Sequence, residues 1–207
     1  MWNSRHAISC TPMKRQRSTA LARSGQLGFS LIEVLVALSI TLVGLLGLTG
    51  LIARSNQSEM ESYQRVQALM LLQDMVDRVN ANRKVAACYS NAATGRTVGT
   101  GYTGTPACTT GSTQQNAQMA TDLIAWNNSL QGSAEVSAGT SKIGAMIGAR
   151  GCIVQIDATN NIYIVSVAWQ GLVPTATPGN TCGSGLYGGD EKFRRVVTST
   201  LRIAKLS

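Results

Sequence analysis

Proline is missing from residues 13–105, and histidine occurs once in 207 residues, as His6. The first absence removes the strongest helix breaker from a long stretch, so nothing there forbids one continuous helix. The second excludes Ser-His-Asp and Cys-His catalysis, and histidine-ligated metals, from everything beyond the N-terminal segment. The acids form no evident catalytic constellation, so a membrane-tethered enzyme is the weaker reading and no cofactor is expected. Acids are absent from residues 1–28, which hold Arg5, Lys14, Arg15, Arg17 and Arg23. Beyond Gly28 there are 13 basic against 10 acidic residues, so the net charge of +8 belongs mostly to the N-terminus. That asymmetry argues against reading the whole chain as a nucleic-acid binder.

Residues 29–53 contain no Lys, Arg, Asp, Asn, Gln or Pro, and their one carboxylate is Glu33. As a helix these 25 residues reach about 37 Å, more than the roughly 30 Å hydrocarbon core of a bilayer. A secretory signal has a shorter apolar region and a small-residue cleavage site after it; here the small-residue junction, Gly28–Phe29, lies before the run. The basic residues before an apolar run mark its cytoplasmic flank, so the N-terminus is expected inside and the rest of the chain outside.

Cysteine usage fits export. Cys10 lies in the leader, and Cys88, Cys108, Cys152 and Cys182 lie beyond the apolar run. Four cysteines allow three pairings; Cys88–Cys108 and Cys152–Cys182 are favoured, each closing a loop rich in Gly and Thr. A zinc site is the rival use, but there is no CxxC and no exported His.

Past Arg54, Met60, Tyr63, Val66, Leu69, Met70, Val76 and Val79 recur every three or four residues, which extends the helix to about Lys84. Gly44, Gly47 and Gly50 serve either close helix packing or local melting, and both readings stand. Residues 92–112 read as a long Gly/Thr loop. Within it Gly99, Gly101 and Gly104 match GxGxxG formally, but no apolar strand is expected before them. Residues 115–131 read as an amphipathic helix with Met119, Leu123, Trp126 and Leu130 on its core side. Residues 151–157 and 162–169 form a predicted hairpin, 173–189 a Pro/Gly-rich loop, and 193–203 a third strand. The fold class is therefore α+β: a long helix against a small antiparallel sheet. Two further sites are considered. Asp190 and Glu191 offer oxygen ligands for calcium, and Lys192, Arg194, Arg195, Arg202 and Lys205 offer a cationic strand to DNA. A solvated sheet face is the plainer account of that strand.

The stretch GFSLIEVLVAL, after its basic leader, resembles the class III signal of type IV pilins and pseudopilins. Gly28, Phe29 and Glu33 match its pattern residue by residue, and the order of long helix, loop, sheet and late disulfide loop is also similar. Within the family the VLVALSITLVGLLGLTGL run and the Trp126 and VSVAW segments are most similar to a minor pilin. Major pilins commonly carry Pro in the apolar run, where this chain has Gly. The resemblance implies a non-enzymatic subunit in which a prepilin peptidase cuts after Gly28 and methylates the amine of Phe29. Glu33 then pairs with that amine on a neighbouring subunit, the alternative being a carboxylate that merely snorkels to the interface. It implies a leader at 1–28, a membrane and assembly half at 29–53, an amphipathic half at 54–84 and an exported globular domain at 85–207. Partners are the peptidase, other minor and major pilins and the inner membrane, with nucleic acid not excluded. A pseudopilin of a type II secretion system shares every one of these features.

Overall fold

A computed structural model of the chain describes residues 28–132 and 146–204. The basic leader, with His6 and Cys10, and Lys205 lie outside the described residues.

Helix α1 runs unbroken from Leu31 to Ala81. It starts at Ser30, whose carbonyl accepts from the amides of Glu33 (3.0 Å) and Val34 (3.3 Å). With no proline to interrupt it, the ladder passes straight through Gly44, Gly47 and Gly50. The helix was expected to reach Lys84; it ends earlier, where the Asn82 side chain turns to bond Tyr89 Oη (3.2 Å) and the Gln115 carbonyl (2.9 Å). A 3₁₀ turn, Arg83–Val85, and the short helix α2, Ala86–Ser90, follow.

The chain divides into two compact units between Gly47 and Leu48. In the first, every described residue is exposed, Leu31, Val43 and Leu46 among them at 81%, 71% and 69%. The second unit holds the remainder of α1 and the sheet. Strands β1 (Arg96–Gly99), β2 (Ile147–Asp157), β3 (Ile162–Gln170) and β4 (Arg194–Arg202) form one antiparallel meander in that order. Helix α3, Thr113–Leu130, begins with a capping box in which Ser112 and Gln115 bond each other's backbone amides.

The sheet has four strands where three were expected. β1 lies inside the stretch read as a loop, so a strand does precede the GxGxxG match. Only Val98 of β1 is apolar and buried deeply (1% exposed), and the strand is held by its register to β2, a contact that local composition does not encode. The next helix, α3, starts only at Thr113, so the glycines sit at no helix N-terminus and the phosphate-binding reading fails.

The core lies between one side of the sheet, α1 and α3. Met119, Leu123, Trp126 and Leu130 are buried, as their spacing predicts. The Trp126 indole donates to the Leu71 carbonyl at 2.8 Å. Its ring lies over β2 at Gly151, where a Cβ would meet ring carbons at 2.2 Å, so only glycine allows this approach. The α1 face differs from expectation. Met60, Tyr63, Val66, Leu69 and Met70 are exposed by 50%, 50%, 48%, 46% and 64%, while Gln64, Ala68, Leu72, Met75, Val76 and Val79 are buried. Periodicity detects both stripes and cannot say which one meets the sheet. Ala68 permits close approach, and Gln64 Oε1 accepts from Trp169 Nε1 at 3.2 Å, so the buried stripe is the less apolar one at its start.

Candidate assembly site

Gly28 and Phe29 are exposed and precede the helix, Phe29 at 83%. A Cβ at Gly28 would meet nothing within 4 Å, so no fold constraint demands glycine there. Glu33 stands in the first turn of α1, exposed, four residues after Phe29. An acid in a first turn is favoured by the free amides and the helix dipole. The helix beyond it contains a window of mean hydropathy 2.5, none of it buried, and is long and apolar enough to cross a membrane. Its hydroxyls are satisfied within the helix: Ser39 Oγ donates to the Leu35 carbonyl (2.8 Å) and Thr41 Oγ1 to that of Leu38 (2.9 Å). An apolar surface of this extent is stable only against lipid or other apolar helices, and Glu33 is its one ionisable group before Arg54.

Two disulfides staple the globular part. Cys88 and Cys108 are joined with Cα atoms 5.6 Å apart, Cys152 and Cys182 with Cα atoms 5.8 Å apart. Behind the first, Asp122 (3% exposed) accepts from Tyr89 Oη (2.6 Å), Arg78 (3.0 Å) and Gln118 (2.9 Å). Burial first, and then the bond to Asp122, raise the Tyr89 pKa, so it stays a neutral donor. This network joins α1, α2 and α3, and nothing in the sequence spacing announced it.

The cationic strand is not the open surface that its sequence offered to DNA. Arg194 is 2% exposed and donates to the carbonyls of Pro178, Asn180 and Cys182 and to the Glu191 carboxylate. Arg195 pairs with Glu61 of α1 at 3.0 Å, and the same carboxylate accepts from the amides of Leu172 (3.0 Å) and Val173 (3.1 Å). Both arginines are spent folding the 171–193 loop, which leaves Lys192 and Arg202 as the exposed described cations of the five. The calcium reading also loses its ligands. Asp190 caps the amide of Lys192 (3.0 Å), and Glu191 accepts from Gly185 N (2.6 Å) as well as Arg194. No group of three or more candidate ligands occurs among the described residues.

Glu191 gives the loop an acid dependence. The Gly185 amide first, then the Arg194 side chain, hold its carboxyl below the ordinary value of 4.5. A carboxyl with a depressed folded pKa adds stability above its unfolded value, and that contribution is lost as pH falls through the folded one. The midpoint of thermal unfolding should therefore drop more steeply between about pH 5 and pH 3 in the parent than in Glu191→Gln. Parallel slopes would show that this carboxylate does not couple protons to folding.

A family model described as Tt1218-like, type IV pilin Tt1218, matches residues 50–123. Another, the prokaryotic N-terminal methylation motif, matches residues 23–49. The second match contains Gly28, Phe29 and Glu33, and the first contains the rest of α1, the Cys88–Cys108 bridge and α3 up to Leu123. Neither the curated proteins nor the solved structures yield a match.

Proposed function

The chain belongs to the type IV pilin family, and from that premise we propose that it is a minor pilin. It is a non-enzymatic subunit that helps to initiate pilus assembly and is incorporated in the filament or at its tip. The observation that carries this reading is the pairing of the methylation motif with an apolar helix segment that buries none of its surface. Residues 1–28 stay in the cytoplasm and are removed by a prepilin peptidase, which methylates the new amine of Phe29. Residues 29–53 then hold the subunit in the inner membrane, with the two-disulfide domain in the periplasm, where such bonds form. Glu33 sits at the edge of the span, where an ionised group costs less than the roughly 2.5–3.5 kcal/mol charged by insertion scales at its centre. The Phe29 amine of a neighbour offsets that cost and sets the axial register between helices. Within the family, the apolar run and the Trp126 and VSVAW segments point to the minor pilin PilV.

Sheared pili, analysed by quantitative mass spectrometry, test the proposal. Peptides from residues 29–207 should be present at a small fraction of the principal subunit. Their absence from pili, with recovery instead alongside a type II secretion complex, would overturn it.

A further inference from the structure

The two edges of the sheet are treated differently. At β1 the outward amide of Gly99 donates to Asn127 Oδ1 (2.8 Å) and its carbonyl accepts from Gln131 Nε2 (3.1 Å), so side chains at the end of α3 cap that edge at Gly99. At β4 the register with β3 is continuous from Ile162↔Arg202 to Gln170↔Arg194. Just beyond its two ends, Ile203 N donates to the Asn161 carbonyl (3.0 Å) and Gly171 N to the Phe193 carbonyl (2.7 Å). Antiparallel pairs alternate, so residues 195, 197, 199 and 201 turn their backbone groups to β3. Val196, Thr198 and Thr200 then turn theirs outward, and among the described residues these groups have no partner.

An open edge is normally blunted by lysine, proline, a bulge or a covering segment. Here the open part reads Val-Val-Thr-Ser-Thr, residues 196–200, four of them β-branched strand formers and all uncharged. The loop that covers the start of the strand ends its pairing at Thr175 N→Lys192 O (2.8 Å). Beside the edge a groove of about 310 Å³ runs between β4 and α1, lined by Ser58, Ser62, Arg65 and Val197 among others. Arg65 is exposed and makes no ion pair among the described residues. Arg202 stands exposed at the other end of the edge.

We propose that the free edge of β4 receives an extended segment of a different polypeptide, β-branched in its middle and acidic at its ends, as a fifth strand. Backbone bonds to Val196, Thr198 and Thr200 supply the affinity, and the groove beside Val197 takes the alternate side chains. Arg65 and Arg202 select the acids. A second copy pairing edge to edge is disfavoured, because residues 194–202 contain no acid to meet Arg202. The proposal rests on the sheet edge alone and is independent of pilus incorporation.

The probe is a synthetic peptide, Glu-Val-Thr-Val-Thr-Val-Glu, added to the full chain in detergent, with amide hydrogen exchange read residue by residue. The amides of Val196, Thr198 and Thr200 should slow by about tenfold or more at saturation. A lysine-ended peptide of the same core should have no effect. Thr198→Pro removes only an outward N–H, so it should keep the fold, with Tm within about 5 °C of the parent, and lose the protection. The proposal is overturned by unchanged exchange, by equal protection from the lysine-ended peptide, or by protection retained in Thr198→Pro. Protection without peptide that grows with protein concentration would assign the edge to a second copy instead.

Discussion

Glu33→Leu protein is expected to be cleaved, inserted and folded like the parent, yet to be missing from the filament. Cleavage should be kept because the proposed scissile bond is Gly28–Phe29, and Glu33 lies four residues further on, in the first turn of α1. Insertion should be unchanged or easier, since a charge leaves the apolar layer. The domain fold should be untouched, because Glu33 is exposed and belongs to the unit that ends at Gly47, whereas the core residues start at Gln64. On the proposed pairing, what is lost is the partner of a neighbour's Phe29 amine, and a buried charge left unpaired costs about 3–5 kcal/mol. Even the lower figure reduces incorporation by roughly a hundredfold. The measurement is the ratio of chain in sheared pili to chain in the membrane fraction. A ratio within about twofold of the parent would mean that the carboxylate only snorkels.

Arg194→Met should be the most damaging single change in the folded domain. The side chain is buried, and its guanidinium ties three carbonyls of the Cys182 loop, Pro178, Asn180 and Cys182, to the Glu191 carboxylate. Methionine has a comparable apolar stem and no donor, so the carbonyls and the carboxylate lose their partners together. Removing one member of such a network costs about 3–5 kcal/mol. For a domain of this size that lowers Tm by roughly 10 °C or more. The matching Arg195→Met change is milder. Arg195 is partly exposed, and the loop amides of Leu172 and Val173 still bond Glu61 without it. Equal melting points for Arg194→Met and the parent would show that the disulfide loop holds itself without the guanidinium.

Both arginines illustrate where sequence reading stops. The reading of 193–203 as a strand is correct, but it suggests that its basic residues are solvated. Whether it is depends on where the 171–193 loop folds, and that is a non-local outcome. Helix α3 lies at the other extreme. Met119, Leu123, Trp126 and Leu130 encode a buried face within one short window, and it appears in the fold. Helix α1 falls between. Its existence follows from the missing proline, but two apolar stripes share its second half and only the packed sheet chooses between them. β1 was illegible because one buried valine among glycines and threonines carries no period. The methylation motif was legible for the opposite reason: Gly28, Phe29 and Glu33 are local, ordered along the chain, and set against an apolar run.

On the proposed processing, Phe29 becomes the first residue of the working protein. Intact mass and N-terminal sequencing of chain purified from native membranes measure this directly. The expected chain starts at N-methylated Phe29, with residues 1–28 gone and two disulfides intact. A chain that keeps its leader, or one that starts anywhere beyond the apolar run, would contradict it.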